Sequence, residues 1–397
     1  MSPAVQPRLA AVAAPPIAEA QGWIAGRSFP ADRPLIDVCQ AVPGYPPPPS
    51  LVSTMAQALA APATHRYTEV PGLPALRAAL AADIDGLYAG GAGAVTAEEV
   101  LITAGCNQAF CLALSALAQA GDEVILPLPH YFNYQMWLQM NGIVPRSVAF
   151  RPQTGGVPDL DEIAAAIGPA TRALVLISPN NPTGAVYPPA FLEAAFELCR
   201  SAGIALVLDE TYRDFMPGDG VPHGLFRRPD WAGTLVHLYS FSKVFCLTGH
   251  RVGAIAAAPA LLDQVGKAMD CVAICAPHLG QLAALEGLKS LGDWRRGNAG
   301  LMRARLAALR SAFARPDIGY QVVSAGAYFA YLRHPHAGRG SHAVARRLAD
   351  AQNLLALPGA MFGPGQDAYL RLAFANVDAA LMPQIAARLA ADAAAAF

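Results

Sequence analysis

The chain is poor in charge. Asp, Glu, Lys and Arg make up 14% of its 397 residues, and the formal net charge is −1. A near-neutral chain sets up no global field to attract nucleic acid or an anionic membrane. Hydrophobic residues reach 54%, much of that alanine, yet charge, proline or glycine interrupts every apolar run before about 18 residues, so no membrane-spanning helix is predicted. There is no CxxC pair. The seven cysteines, at 39, 106, 111, 199, 246, 271 and 275, are scattered and odd in number, which predicts free thiols and a reducing compartment. Cys271 and Cys275 would share a helix face, where buried small apolar residues are expected rather than a metal pair. The nine histidines form no HExxH or other ligand-spaced cluster, so no metal site is expected. GxGxxG, Walker A and GxSxG motifs are missing, as are internal repeats. Met1 to Ala20 is rich in Ala and Pro and lacks a basic start followed by an uninterrupted apolar core. It reads as a loose arm and not a signal peptide.

What remains is a large, apolar chain with enough material for two or three domains. Its middle alternates strand and helix. Strands are predicted at Val100–Thr103, Val124–Leu126, Ala173–Ile177, Ile204–Leu208 and Thr234–Leu238. Helices are predicted at Gln108–Gln119 and Pro188–Ala202, the second with Pro189 in its first turn and Gly203 just past its end. Continuous apolar strands separated by helices imply an α/β fold with a mainly parallel sheet covered on both faces. Ligands gather at the carboxyl ends of such strands. The tail differs: strands at Tyr320–Ser324, Tyr328–Leu332 and Tyr369–Phe374, with helices at Ser341–Gln352 and Val377–Ala395, form a smaller α+β unit. A helical stretch around Leu279–Phe313 joins the two, and the proline-rich run from Pro43 to Pro49 marks the other boundary.

Three segments follow predicted strands and carry reactive groups. Tyr239-Ser240-Phe241-Ser242-Lys243, followed by Thr248-Gly249-His250-Arg251-Val252-Gly253, places a lysine among hydroxyls, glycine and another cation. Desolvated there, Lys243 becomes a nucleophile able to hold an aldehyde as a Schiff base. Asp209, in Val207-Leu208-Asp209-Glu210-Thr211-Tyr212, can face a cationic ring nitrogen, and Tyr212 can present its hydroxyl to the same ligand. Alone, Asp209 would read equally as a loop or capping acid. Ser178-Pro179-Asn180-Asn181-Pro182-Thr183-Gly184 follows a buried strand, with an Asn before Pro held extended. Upstream, Thr103-Ala104-Gly105-Cys106-Asn107-Gln108 opens a helix whose free N–H groups form an anion site. Ser240 and Arg251 can supply a hydroxyl and a charge-assisted partner for the same phosphate.

This ordered set, Ser178–Gly184, Asp209–Tyr212 and Ser240–Lys243 with Arg251, resembles the class I/II aminotransferases, pyridoxal-phosphate enzymes of the aspartate aminotransferase type. The resemblance runs from about Gln40 to about Asn376 and includes Tyr67 in Arg66–Arg77 and Arg371 in Tyr369–Ala375. It implies the fold type I architecture, a large domain with a seven-stranded-type sheet plus a small α+β domain. Residues 46–285 would form the large domain, 21–45 and 286–397 the small one, and 1–20 the loose arm. It implies pyridoxal 5′-phosphate as cofactor, with Lys243 as its Schiff-base residue and proton carrier. Asp209 would pair with the pyridinium nitrogen, and Tyr212 and Asn181 with the phenolic oxygen. Gly105, Cys106, Asn107, Ser240, Ser242 and Arg251 would hold the phosphate. Tyr131 would stack on the ring, with Phe132 as the competing choice, and Arg371 would take the substrate α-carboxylate. Tyr67 would reach the site of a neighbouring subunit, so a cytoplasmic homodimer with shared sites is implied.

Departures from the family pattern are informative. Ala41 stands where the family usually has glycine, and its methyl group is expected to narrow or reshape the substrate pocket. His250 stands where Trp is frequent. The Phe110–Ala120 stretch lacks the basic residue that some aspartate-specific relatives use. The resulting expectation is a transaminase that moves the amino group of an L-amino acid to a 2-oxo acid by a ping-pong mechanism. The alternatives are a C–S lyase, a decarboxylase or an elimination enzyme on the same cofactor. A binding or regulatory protein on an inactive version of the fold is disfavoured, because every reactive group is present and no basic DNA-reading segment precedes Gln40.

Overall fold

The computed structural model describes residues 3–395. Its large sheet has seven strands in the order Val100–Thr103, Gly253–Ala256, Leu235–Ser240, Ala205–Asp209, Thr171–Ile177, Glu123–Pro127, Val144–Val148. All neighbours pair in parallel except Gly253–Ala256, which runs antiparallel to both of its partners. Val100–Thr103 and Leu235–Ser240 are buried at every position. A strand buried on both alternating faces must be covered on both, which explains its continuous apolar sequence. Val144–Val148, at the sheet edge, is largely exposed and carries Pro145 and Arg146, the residue types that blunt a free edge.

Local chemistry sets the element boundaries. The Pro189–Ala202 helix starts on proline and ends at Gly203, whose φ of 66° forms a left-handed cap available to glycine at little steric cost. The predicted helix over Val377–Ala395 begins later, at Met382, after a short turn at Ala379–Leu381. Pro383 sits in its first turn, where a missing N–H does no harm. The stretch predicted as helical around Leu279–Phe313 divides into His278–Ser290 and Gly292–Phe313.

A four-stranded antiparallel sheet, ordered Leu357–Pro358, Tyr369–Leu372, Phe329–Arg333, Gln321–Gly326, builds the second unit. Helices Ser341–Gln352 and Met382–Ala394 share its apolar cluster. Ile36–Asp37 pairs in parallel with Leu354–Leu355, tying the N-terminal segment to this unit. Part of the stretch expected to be a loose arm is ordered against the body. Pro7–Ala11 and Pro16–Gly22 are helical. Ala20 is fully buried with Cys39, Leu355 and Phe362, and the Arg8 guanidinium lies against Gly142. The apolar spacing of Ile17, Ala20 and Trp23, which reach that cluster, overrides the proline-rich composition. Residues 1 and 2 of the arm lie outside the described part.

Close approach of backbones fixes one glycine. A Cβ on Gly253 would stand 2.7 Å from the Cys106 nitrogen and from the Gly105 carbonyl carbon, and 2.9 Å from the Tyr239 carbonyl oxygen. These are backbone atoms of the strand and helix that frame the site, and they cannot rotate away. Gly253→Ala is expected to lower stability by roughly 1–3 kcal/mol through overpacking, read as a lower urea midpoint at unchanged slope. An unchanged midpoint would show that the two elements are free to separate.

Candidate active site

The register of the parallel ladder brings the reactive segments together. Ile177 pairs with Asp209, and Asp209 with Leu238, so the segments that follow them open at one edge of the sheet. There they frame a cavity of about 330 Å3. Ten of the expected residues line it: Cys106, Asn107, Tyr131, Asn181, Asp209, Tyr212, Ser240, Ser242, Lys243 and Arg251.

Lys243 lies in the short helix Phe241–Val244, whose N-cap Ser240 accepts the Ser242 N–H at 3.2 Å. Its Nζ donates to the Ala41 carbonyl. Burial, then the nearby charges of Arg371 and Arg251, lowers its pKa from 10.5 to about 8. Each of these disfavours the ammonium form. Of the chain's three lysines, 243, 267 and 289, only Lys243 is drawn from solvent; the other two are exposed.

Asp209 is 5% exposed, and its partners are neutral donors. Tyr134 Oη donates to Oδ2 at 2.6 Å, the Thr211 N–H to Oδ1 at 2.9 Å, and the Cys106 thiol to Oδ1 at 3.5 Å. Burial, then the Asp209 charge, pushes the Cys106 pKa up, which keeps it a thiol and a donor. A buried carboxylate held in this way is suited to an incoming cationic group.

At the anion end, Gly105 precedes the Cys106–Leu117 helix with φ 85°, and the Arg251 guanidinium lies directly over the position of a would-be Gly105 Cβ. Arg251 donates to the Thr248 carbonyl at 3.1 Å and to the Ala104 carbonyl at 3.3 Å. Its own backbone is left-handed at φ 49°, a strained state for a side-chain-bearing residue that is typical of functional positions. Helix N–H groups, two serine hydroxyls and a guanidinium therefore converge.

Two consecutive asparagines divide the work. Asn180 Oδ1 accepts from Thr183 N at 3.1 Å and from Thr183 Oγ1 at 2.9 Å, and so shapes its own loop. Asn181 lines the cavity and accepts from Arg371 Nη1 at 3.1 Å through Oδ1. That leaves the Asn181 Nδ2 hydrogens as donors. Arg371 is 2% exposed, donates also to the Cys39 carbonyl, and lies 5.0 Å from the Phe329 ring and 5.2 Å from the Phe362 ring. Its Nε is buried without a partner among the described residues.

Of the two aromatic candidates, Tyr131 lines the cavity, while Phe132 packs 5.6 Å from Phe362. Ala41 packs in an apolar cluster with Tyr212, Phe215 and Tyr328. Its neighbours Gln40 and Val42 line the cavity. Tyr67 is 75% exposed and stands apart from this chain's cavity. Sequence reasoning missed Tyr134, Thr211 and Thr248, which also line it. Tyr134 carried one signal: it is three residues from Tyr131 at the start of a helix and so returns to the same face. Among the described residues no cluster of His, Cys, Asp or Glu could hold a metal ion, and no helix is long and apolar enough to cross a membrane.

A parallel-sheet domain with an amine, a carboxylate and an anion site at its strand ends, backed by a small α+β unit, defines a fold type I pyridoxal-phosphate enzyme. Over residues 33–389 the chain matches aminotransferase class I and II, and it belongs to that family. It is similar to an aromatic aminotransferase of Arabidopsis thaliana, 28% identical over 89% of this chain and 88% of that one. It is also similar to an arginine–pyruvate transaminase of Pseudomonas aeruginosa, 31% identical over 83% of each chain. Among solved structures, Thermus thermophilus aspartate aminotransferase with maleate superposes with a TM-score of 0.86, at 26% identity, over 98% of this chain and 100% of that one. The protein is thus an enzyme, a pyridoxal-phosphate-dependent aminotransferase.

The lowered Lys243 pKa makes a prediction about the free protein. Its amine is largely uncharged above pH 8, so competitive acylation read by mass spectrometry should titrate with a midpoint near 8 and not 10.5. A midpoint at the ordinary lysine value would mean that the amine is solvated and charged.

Proposed function

We propose that this aminotransferase moves the amino group of an L-amino acid to a 2-oxo acid by a ping-pong cycle, with Lys243 as the covalent anchor of pyridoxal 5′-phosphate. One observation carries the reading: among the described residues, two buried charges of opposite sign hydrogen-bond only to neutral groups. Asp209 is held by a phenol, a thiol and an amide N–H. Arg371 is held by an asparagine oxygen and a backbone carbonyl. Burying an ion without a counter-ion is expensive, and a protonated ring nitrogen and a substrate carboxylate are the counter-ions of the right sign.

The residues present fit the cofactor. The N–H groups of Cys106 and Asn107, the hydroxyls of Ser240 and Ser242, and Arg251 would hold the phosphate, with Gly105 allowing the backbone to approach. Asp209 would keep a proton on the ring nitrogen. Tyr212 Oη and Asn181 Nδ2 would donate to the phenolic oxygen, and the Tyr131 ring would lie against the cofactor ring. When bound, pyridoxal phosphate supplies an electron sink for negative charge at the substrate Cα. Lys243, its pKa lowered by burial to about 8, would take the proton from that Cα and return it as general acid and base. Arg371 would fix the α-carboxylate with its planar fork.

A homodimer is part of this reading. Tyr67, Val272 and Ile274 are 75%, 67% and 39% exposed. Their two segments are tied by the Thr68 N–H to Cys275 Sγ at 3.4 Å and by His278 Nδ1 to the Arg66 carbonyl at 3.1 Å. An exposed apolar patch built on hydrogen-bonded backbone suits a second copy of the chain, and Tyr67 would then reach the partner's site. Seven free cysteines support a reducing, cytoplasmic setting.

The test is a single-turnover experiment on holoenzyme with a panel of L-amino acids and no 2-oxo acid. One equivalent of amino acid consumed per site, with visible absorbance lost until a 2-oxo acid is added, is the expected result. Continuous consumption without any 2-oxo acid would replace transamination by lyase or decarboxylase chemistry. Lys243→Ala should lose covalent cofactor attachment, read by borohydride reduction and mass spectrometry, and lower kcat by at least about 10²–10⁴-fold, the usual range for a general acid–base. Arg371→Lys keeps the charge and loses the fork. It should lower kcat/KM by roughly 10–100-fold, since a charge-assisted hydrogen bond contributes about 1.5–3 kcal/mol, with cofactor affinity unchanged by equilibrium titration.

A further inference from the structure

We propose that Tyr134 is a positioning residue that holds Asp209 in its ionised form and in the orientation that meets the cofactor ring nitrogen. The proposal rests on the reading of Asp209 as partner of that nitrogen. Tyr134 Oη gives Asp209 its shortest hydrogen bond, 2.6 Å to Oδ2, against 2.9 Å and 3.5 Å for the two donors on Oδ1. It is the only bond to Oδ2 among the described residues, so Oδ2 would be left without a donor if the phenol were removed. The other oxygen would keep both of its donors.

The phenol is itself held rigidly. Tyr134 is 1% exposed. Its ring stacks on Phe110 at 3.6 Å and 9° and meets Tyr131 edge-on at 5.3 Å. Phe110 belongs to the helix that begins at Cys106, so the same helix offers its N-terminus to the anion site and fixes the ring that orients Asp209. Burial, then the Asp209 charge, holds the Tyr134 pKa well above that of an ordinary phenol, so Tyr134 stays protonated and acts only as a donor. Hydrogen bonds to the charged form of an acid favour that form. In a buried pair between carboxylate and ring nitrogen, each donor on the carboxylate keeps the shared proton on nitrogen. With the phenol removed, the proton moves toward Asp209 and the ring becomes a weaker acceptor of negative charge from the substrate.

The experiment compares wild type, Tyr134→Phe and Asp209→Ala, each loaded with pyridoxal phosphate labelled with 15N in the ring. The 15N resonance reports whether the nitrogen carries a proton, independently of turnover. Phenylalanine preserves the stack on Phe110, and thermal melts check that the variant is folded. Tyr134→Phe should bind the cofactor, shift the resonance toward the unprotonated value at neutral pH, and lower kcat by roughly tenfold, as loss of one hydrogen bond to a charged group does, with KM nearly unchanged. Cys106→Ala, which removes the weaker donor at 3.5 Å, should shift the resonance less. A Tyr134→Phe resonance equal to wild type, with Asp209→Ala clearly shifted, overturns the role of Tyr134 and leaves that of Asp209 standing. A resonance unmoved in Asp209→Ala overturns both.

Discussion

The ladder that sets Ile177, Asp209 and Leu238 side by side is the constraint on which the rest of the site depends. Parallel pairing forces successive strands to end at the same edge, and the loops leaving them cannot avoid meeting. From that edge come the asparagine loop, the Asp209–Tyr212 turn and the Ser240–Lys243 turn. The antiparallel strand Gly253–Ala256 then pairs Gly253 with Ser240 on one side and Thr103 on the other. It therefore brings Arg251 back to the helix that starts at Cys106. A residue with a side chain at position 253 would push those two backbones apart, and the anion site would open with them.

Burial gives this geometry its chemistry. The same burial that makes Lys243 a weaker base encloses Asp209 and Arg371, and among the described residues neither hydrogen-bonds to an opposite charge. The adjacent residue shows the contrasting solution. Glu210 is 1% exposed and takes hydrogen bonds from Tyr88 and from the Nε2 atoms of His223 and His237, at 3.2 Å and 3.0 Å for the two histidines. Burial would raise its pKa, but the charges and hydrogen bonds of His223 and His237 outweigh that and hold it below the usual carboxylate range. Two consecutive acids point to opposite sides of a strand end. One is fully enclosed in a protein network and the other faces the cavity.

Much of the fold was legible because strongly patterned segments obey local rules. Ser341–Gln352 is a helix with the predicted bounds, and the bounds of the central strands fall within two residues of expectation. Gly253–Ala256 escaped notice because a four-residue run of Gly, Ala and Ile carries no period of its own; pairing on both sides makes it a strand. Val144–Val148 was hidden by its proline and arginine, which belong to a sheet edge. The arm resisted because composition suggested a loose segment, while Ile17, Ala20 and Trp23 pack in an apolar cluster with Cys39, Phe132, Leu355 and Phe362.

The motifs by themselves determined the reactive groups: an amine after one strand, a carboxylate after another, an asparagine loop and a glycine-led helix start, in an order shared with one enzyme family. Only the tertiary structure decided which of two adjacent residues lines the cavity. Tyr131 and not Phe132 meets the cavity, and Asn181 and not Asn180. It alone brought in Tyr134, and it alone showed Gln40 and Val42 in the wall with Ala41 turned into packing. The physical reason is one of range. Local preference and spacing set what a segment contains and where it bends. The side on which each side chain emerges, and how much water it keeps, depends on strands and helices distant in sequence.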